Sequence, residues 1–301
     1  MSINVPDRRG NGFETCLAWY FVTIWGSGFL ATKVGLMYAA PFTFLTLRFM
    51  LGVICLIPLV VLTRAPWPGT QREFMHVVVA GLFMHVLHLG GSHYSQYLGI
   101  SAGIVAVLLT LQPVLTALFA ARWMHERLRV RQWLGVALGF GGVVLIVWHK
   151  IDMREITTAS LTAVCVSLLG ATVGTLYQRA FCPRVDLRSA GLIQFVASLL
   201  LLAPLAWSVE GFAVQWTWQV VAAMTFLVIG ASILAVNALH TLMRRGEATR
   251  VTSLIYLTPI FAVVLEYAMF DVVPGALSLA GIAITCTGVA LVTGPQRVAS
   301  G

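Results

Sequence analysis

Charge is what this chain has least of. Only 10% of its 301 residues are Asp, Glu, Lys or Arg, against 59% hydrophobic ones, whereas a soluble domain carries roughly a quarter charged residues. With a mean hydropathy of +0.89, the chain lacks the polar surface to cover itself in water. Cysteine is scarce too. Cys16, Cys55, Cys165, Cys182 and Cys286 stand apart with no CxxC pair, so neither a disulfide framework nor a zinc site is indicated. Nor is a cleavable leader expected. The opening MSINVPDRRGNGFET is polar with no h-region, and the first apolar run is expected to stay as an anchor. The net charge of +8 forms no basic patch, because Lys and Arg fall between apolar runs. Nucleic acid is therefore not an expected partner.

What the chain does have is long apolar runs. Ten qualify as membrane spans, at roughly 15–37, 42–62, 74–97, 102–124, 132–148, 158–181, 188–208, 218–242, 249–270 and 275–293. Linkers are short, so no soluble domain is inserted. An offset of 146 residues takes Pro113 onto Pro259, Gly135 onto Gly281, Gly142 onto Gly288, Phe49 onto Phe195 and Pro58 onto Pro204, without a gap. Arg48 falls on Gln194, a polar slot kept polar. The chain is a duplication. It divides into a tail (1–14), a first half (15–150), a second half (151–294) and a closing tail (295–301).

Five spans per half is an odd number, so the second half enters from the opposite face. The expected fold is all-α: a polytopic membrane protein with ten transmembrane helices arranged as two inverted five-helix repeats. Fifteen of the 19 Lys and Arg residues fall on one set of span ends; Lys33, Lys150 and Arg154 fall on the other, and Arg48 lies within a span. By the positive-inside rule both termini are cytoplasmic.

Ionisable groups inside hydrocarbon are costly, so each one is a candidate functional residue. In span three, Gly81, His85, His88, Ser92 and Gln96 share one helical stripe. The stripe faces either a wet cavity or a partner helix. Two histidines with no nearby carboxylate or thiol make a poor ligand set, so no metal is expected. Span eight, the repeat partner, offers Asn237, with His240 nearer the arginines. Pro113 and Pro259 interrupt the hydrogen-bond ladder of spans four and nine and are candidate hinges. Thr110, one turn before Pro113, corresponds to Tyr256; both are placed beside the solute, as is Gln112. Trp25 is too deep for an interfacial belt and is a candidate for stacking on a solute or simply for packing. Lys33, near the outer end, can snorkel.

Two further charges need partners. Arg48 and Glu266 both lie near the outer ends of their spans, Arg48 about 10 Å deep at 1.5 Å per residue. They are candidates for an ion pair, or for a substrate-carboxylate site and a coupling proton respectively. The glycines of span five (Gly135, Gly139, Gly142) and their echo in span ten (Gly281, Thr285, Gly288) are spaced for close helix approach, within the bundle or in a homodimer.

Several stretches resemble the two repeats of EamA-type transporters, of the drug/metabolite transporter superfamily. WGSGFLATKVG (Trp25–Gly35), LRF (Leu47–Phe49) and LQPVLTALFAARWMHERLRVRQWLGVALGFGGVVL look like the first repeat; LTPIFAVVLEYAMF and AGIAITCTGVALV look like the second. The resemblance implies an inner-membrane carrier, usually an exporter of amino acids or small metabolites, and no enzyme or cofactor. It implies a cavity lined by the third, fourth, eighth and ninth helices. The family's acidic residue after the fourth helix is present as Glu126, while its second-repeat position is Val272 with Asp271 beside it. The expected function is export of a small amphipathic solute, amino acids above all, by alternating access. A lipid-modifying membrane enzyme, a broad-specificity drug or cation exporter and a passive pore are the rival readings. The expected partners are a small-molecule substrate and the bilayer.

Overall fold

The protein is described by a computed structural model, in which residues 12–123, 129–152, 156–235, 238 and 257–293 are described. Ten helical segments follow one another among them: α1 (Gly12–Leu36), α2 (Pro41–Leu62), α3 (Gln71–Tyr97), α4 (Ala102–Arg122), α5 (Val130–Asp152), α6 (Thr158–Phe181), α7 (Leu187–Glu210), α8 (Trp218–Ala235), α9 (Thr258–Phe270) and α10 (Ala276–Thr293). Six of them (α2, α3, α4, α6, α7 and α8) are long and apolar enough to cross a membrane. Short polar residues start several. Thr70, Ser101 and Thr217 each accept a hydrogen bond from a backbone N–H of the first turn, and Thr157 forms a capping box with Ser160. Pro41 opens α2, where its missing N–H is not needed, and Gly211 closes α7 at φ 65°.

The duplication is visible in where the helices begin. Adding 146 to the starts of α1, α2 and α5 (12, 41 and 130) gives the starts of α6, α7 and α10 (158, 187 and 276). The break in α4 repeats as well. The helix stops at Leu109 and restarts at Gln112, one residue ahead of Pro113; the described part of α9 starts at Thr258, one residue ahead of Pro259. Each proline thus occupies a first turn rather than a helix interior, where it would clash with the preceding turn. Approaching the break in α4, Thr110 donates to the Ala106 carbonyl at 2.7 Å and Leu111 N–H bonds Leu108 O at 3.2 Å, tightening the last turn.

Among the described residues, α5 packs extensively with α10 and α2 with α7. Both pair a helix with its own repeat partner. In the first, a Cβ on Gly135 would meet the Gly288 carbonyl oxygen at 2.6 Å, and one on Gly142 would meet that of Gly281 at 2.6 Å. Since Gly281 and Gly288 are the repeat copies of Gly135 and Gly142, the early glycine of one helix meets the late glycine of the other. Such exchange of partners is what a two-fold axis between antiparallel copies requires. In the second pair the axis passes through Phe49 and its copy Phe195, whose rings lie 5.2 Å apart. The two halves are therefore inverted with respect to each other.

The pair α2 and α7 is fastened at both ends. The Glu210 carboxylate accepts from Phe42 N–H (3.0 Å), Thr43 N–H (2.7 Å) and Thr43 Oγ1 (2.7 Å), satisfying the first turn of α2. At the other end, Ser189 Oγ donates to the Pro66 carbonyl at 2.7 Å. Outward-facing side chains such as Leu62, Val144 and Leu200 are apolar and exposed, as suits contact with acyl chains. Trp67, Trp133, Trp148, Trp207, Trp216 and Trp218 are exposed near helix ends, the pattern of an interfacial belt.

Candidate functional site

Arg48 is buried in α2, with 8% of its surface exposed. One guanidinium nitrogen, Nη2, donates to Ser232 Oγ of α8 at 3.3 Å, while Nε is buried with no hydrogen-bond partner. Its repeat copy Gln194, on α7, places Oε1 3.2 Å from His85 Nε2 on α3. The two slots mirror one another: each of α2 and α7 reaches the interrupted helix of the opposite half. Gly81 makes this possible, because a Cβ there would lie 2.7 Å from that of Gln194. One slot holds a cation and the other a neutral amide.

The helices they reach are unusual. Leu82–Leu89 in α3 and Phe226–Ala235 in α8 are wound as π-helix. Adding 146 to the first range gives 228–235, inside the second. Ser232 Oγ donates to the carbonyl of Leu227, five residues earlier, at 3.0 Å. Wide turns of this kind are rare and concentrate at functional sites. They carry His85, His88, Gly230 and Ser232.

His85 sits between the rings of Phe49 (5.5 Å) and Phe195 (4.9 Å), edge to face with both. Its Nε2 faces a carbonyl oxygen and so carries the proton; Nδ1 is buried without a partner. His88 is held differently. Ser167 Oγ donates to the His88 carbonyl at 2.7 Å, so His88 Nδ1, 3.0 Å from that oxygen, must donate to it. His88 thereby ties α3 to α6. Ser92 and Gln96 are buried, and both amide atoms of Gln96 lack partners.

His93 is not on the stripe read from the sequence, yet it is 2% exposed, lies 6.1 Å from the Phe44 ring and has the Leu89 backbone, one turn earlier, as a hydrogen-bonding neighbour. It lies next to Ser92 on a wide face of α3 that also buries Ser95 and Gln96, so more of this segment is covered than one stripe would be. Arg48 lies within electrostatic reach of His85, His88 and His93.

Glu266 is not part of this cluster. The expected alternative of an Arg48–Glu266 pair is not what the structure contains. Glu266 Oε1 lies 2.8 Å from Lys33 Nζ, and the carboxylate accepts from Ala102 N–H (3.0 Å) and Gly103 N–H (2.8 Å). The first turn of α4 has unpaired N–H groups and the positive end of the helix dipole, which draw the carboxylate away from α2. Lys33 also lies 4.2 Å from the centroid of the Phe270 ring. α1, α4 and α9 are thus tied together at the arginine-poor end of the bundle.

The other sequence candidates are scattered. Thr110 bonds its own helix, as described. Gln112 Nε2 donates to Thr175 Oγ1 of α6 at 2.9 Å. Trp25 is 41% exposed, its ring 5.3 Å from that of Phe21. Asn237, Tyr256, His240 and Glu126 lie outside the described residues. Asp271, named beside Val272, caps the end of α9 with φ 53°.

Two copies of one family model cover the chain. Residues 13–148 and 157–294 each match the EamA-like transporter family. The chain belongs to that family. An uncharacterized transporter of Bacillus subtilis, YvbV, is 27% identical to this EamA protein over 278 residues, covering 91% of this chain and 89% of that one. An uncharacterized inner membrane transporter of Escherichia coli K12, YedA, is 24% identical over 253 residues, covering 80% and 78%. A solved crystal structure superposes with a TM-score of 0.63 at 20% identity, covering 94% of this chain and 97% of that one, and shares the fold. This EamA protein is therefore a multi-pass membrane transporter.

Proposed function

We propose that the chain exports amino acids or related small amphipathic metabolites across a bacterial inner membrane by alternating access, with both termini in the cytoplasm. The observation that carries the reading is the matched interruption of α3 with α8 and of α4 with α9. Interrupted helices at repeat-related depths are where inverted-repeat carriers build a solute site, since irregular backbone is tolerated in a membrane only where protein or water satisfies it. The α2–α7 pair, fastened at both ends, is the frame. The tie of Lys33 and Glu266 to the first turn of α4 closes the arginine-poor end, which the positive-inside rule makes the outer one. Rocking of one half against the other would break it.

The test is counterflow in proteoliposomes. Liposomes loaded with unlabelled phenylalanine or leucine should accumulate the labelled amino acid transiently and saturably. Uptake that is linear in concentration would point to a pore, and no counterflow with any amino acid would remove the substrate class.

A further inference from the structure

We infer that Arg48 is the anchor of a carboxylate-binding subsite between α2, α3 and α8, so that the solute this protein carries presents a carboxylate to it. The inference deepens the transport reading above and rests on it for what the bound acid is doing there.

The argument starts from charge. A guanidinium with 8% exposure keeps its charge, because arginine does not deprotonate in proteins. An uncompensated charge in such a place is costly, so buried charges are normally paired. Among the described residues Arg48 has one hydrogen bond, to a neutral hydroxyl, and a buried Nε with none. The carboxylates of the described residues are committed elsewhere or lie apart. Glu266 serves Lys33 and the first turn of α4, and Glu210 serves the first turn of α2. Glu73 and Asp186 sit at the first turns of α3 and α7, and Asp271 lies past the end of α9. The protein thus supplies a planar fork of donors and, among the described side chains, no anion to fill it.

The surroundings fit one class of ligand. Within electrostatic reach of the guanidinium stand His93 and His85, the latter with a buried, unpartnered Nδ1; His85 lies between the Phe49 and Phe195 rings and His93 beside that of Phe44. Gly90, on α3 between His88 and His93, is buried, yet a Cβ there would touch nothing within 4 Å, so there is open space inside the bundle at this level. A carboxylate pairs with the Nε–Nη2 edge bidentately, and an apolar or aromatic tail lies against the phenylalanines. A cation is repelled by the same group. The repeat copy of Arg48 is the neutral Gln194, so the anion site belongs to one half only.

The experiment uses the purified full-length protein and three probes that share an apolar phenylalkyl part and differ in the charged groups it carries: 3-phenylpropionate, 2-phenylethylamine and phenylalanine. Thermal stabilisation in detergent should appear with 3-phenylpropionate and not with 2-phenylethylamine. Arg48→Gln should weaken the apparent affinity for 3-phenylpropionate by about tenfold or more, the worth of a charge-assisted pair. Arg48→Lys should fall between, since it keeps the charge and loses the fork. Without ligand, Arg48→Gln should be as stable as the parent or more so, because an unpaired buried charge is gone. Unchanged 3-phenylpropionate affinity in Arg48→Gln overturns the inference, as does stabilisation of the parent by the amine but not the acid, or equal stabilisation by chloride. The acid–amine comparison needs no variant, so it stands even where a substitution prevents folding. Arg48-dependent acid binding without counterflow of any probe would leave the subsite and remove the transport reading; saturable counterflow with no such dependence would do the reverse.

Discussion

Glu266 shows how one side chain can close one end of a bundle. Its carboxylate holds the Lys33 ammonium and two backbone N–H groups at once, from α1 and α4. Glu266→Gln leaves a half-buried lysine unpaired and removes the charge from the helix end, and is expected to cost about 2 kcal/mol or more. Lys33→Met should cost less, because the carboxylate keeps both backbone donors. A double-mutant cycle should give a coupling of at least about 0.5 kcal/mol; zero coupling would mean that the pair does not hold in the membrane. Asp186 offers a pH test outside the membrane. It caps α7 by accepting from Arg188 N–H at 2.9 Å, and the Arg188 side chain holds its carboxyl below the ordinary range. A lowered carboxylate contributes stability that is complete above its unfolded pKa and is lost as pH falls through the folded one. Asp186→Ala should therefore cost about 1 kcal/mol at neutral pH, and the difference from the parent should shrink only on acidification below the usual aspartate range. Thermal unfolding in detergent across a pH series reads both quantities.

Helices in this protein are specified as much by their interruptions as by their lengths. The glycine faces of α5 and α10 pack backbone against backbone, with Thr285 Oγ1 donating to the Gly281 carbonyl at 2.8 Å. Gly135→Ala and Gly142→Ala would each set a methyl 2.6 Å from a carbonyl oxygen of the other half. Both should lower stability by about 1–3 kcal/mol. Gly141→Ala, whose methyl would touch nothing within 4 Å, is the control and should be nearly silent. A large loss at Gly141, or none at Gly135 and Gly142, would contradict the contact.

At the scale of the molecule, the decisive property is inversion. Gly69 and Gln215 are repeat copies and both exposed, one ahead of α3 and the other ahead of α8. In a cysteine-free background, Gly69→Cys and Gln215→Cys should be labelled by a membrane-impermeant thiol reagent from opposite sides of the membrane. Labelling from the same side would mean parallel halves, and would undo both the antiparallel glycine contact and the shared axis through Phe49 and Phe195.

The sequence by itself determined the membrane as solvent, the duplication and its inversion. Apolar runs, a constant offset and an odd number of spans per half are local or countable properties of the chain. It also singled out Arg48, His85, His88, Gln112 and Glu266, because polar groups in apolar runs stand out whatever they touch. What it could not determine was pairing. Arg48 and Glu266 lie at similar depths, but whether they meet depends on which helices are neighbours, and α9 packs on α1 and α4 while α2 packs on α7. Nor could α periodicity place His93, whose burial follows from the packing of α1, α2, α4 and α6 around that end of α3. Depth is written along a helix; the partner across a gap is decided only when the halves close on each other.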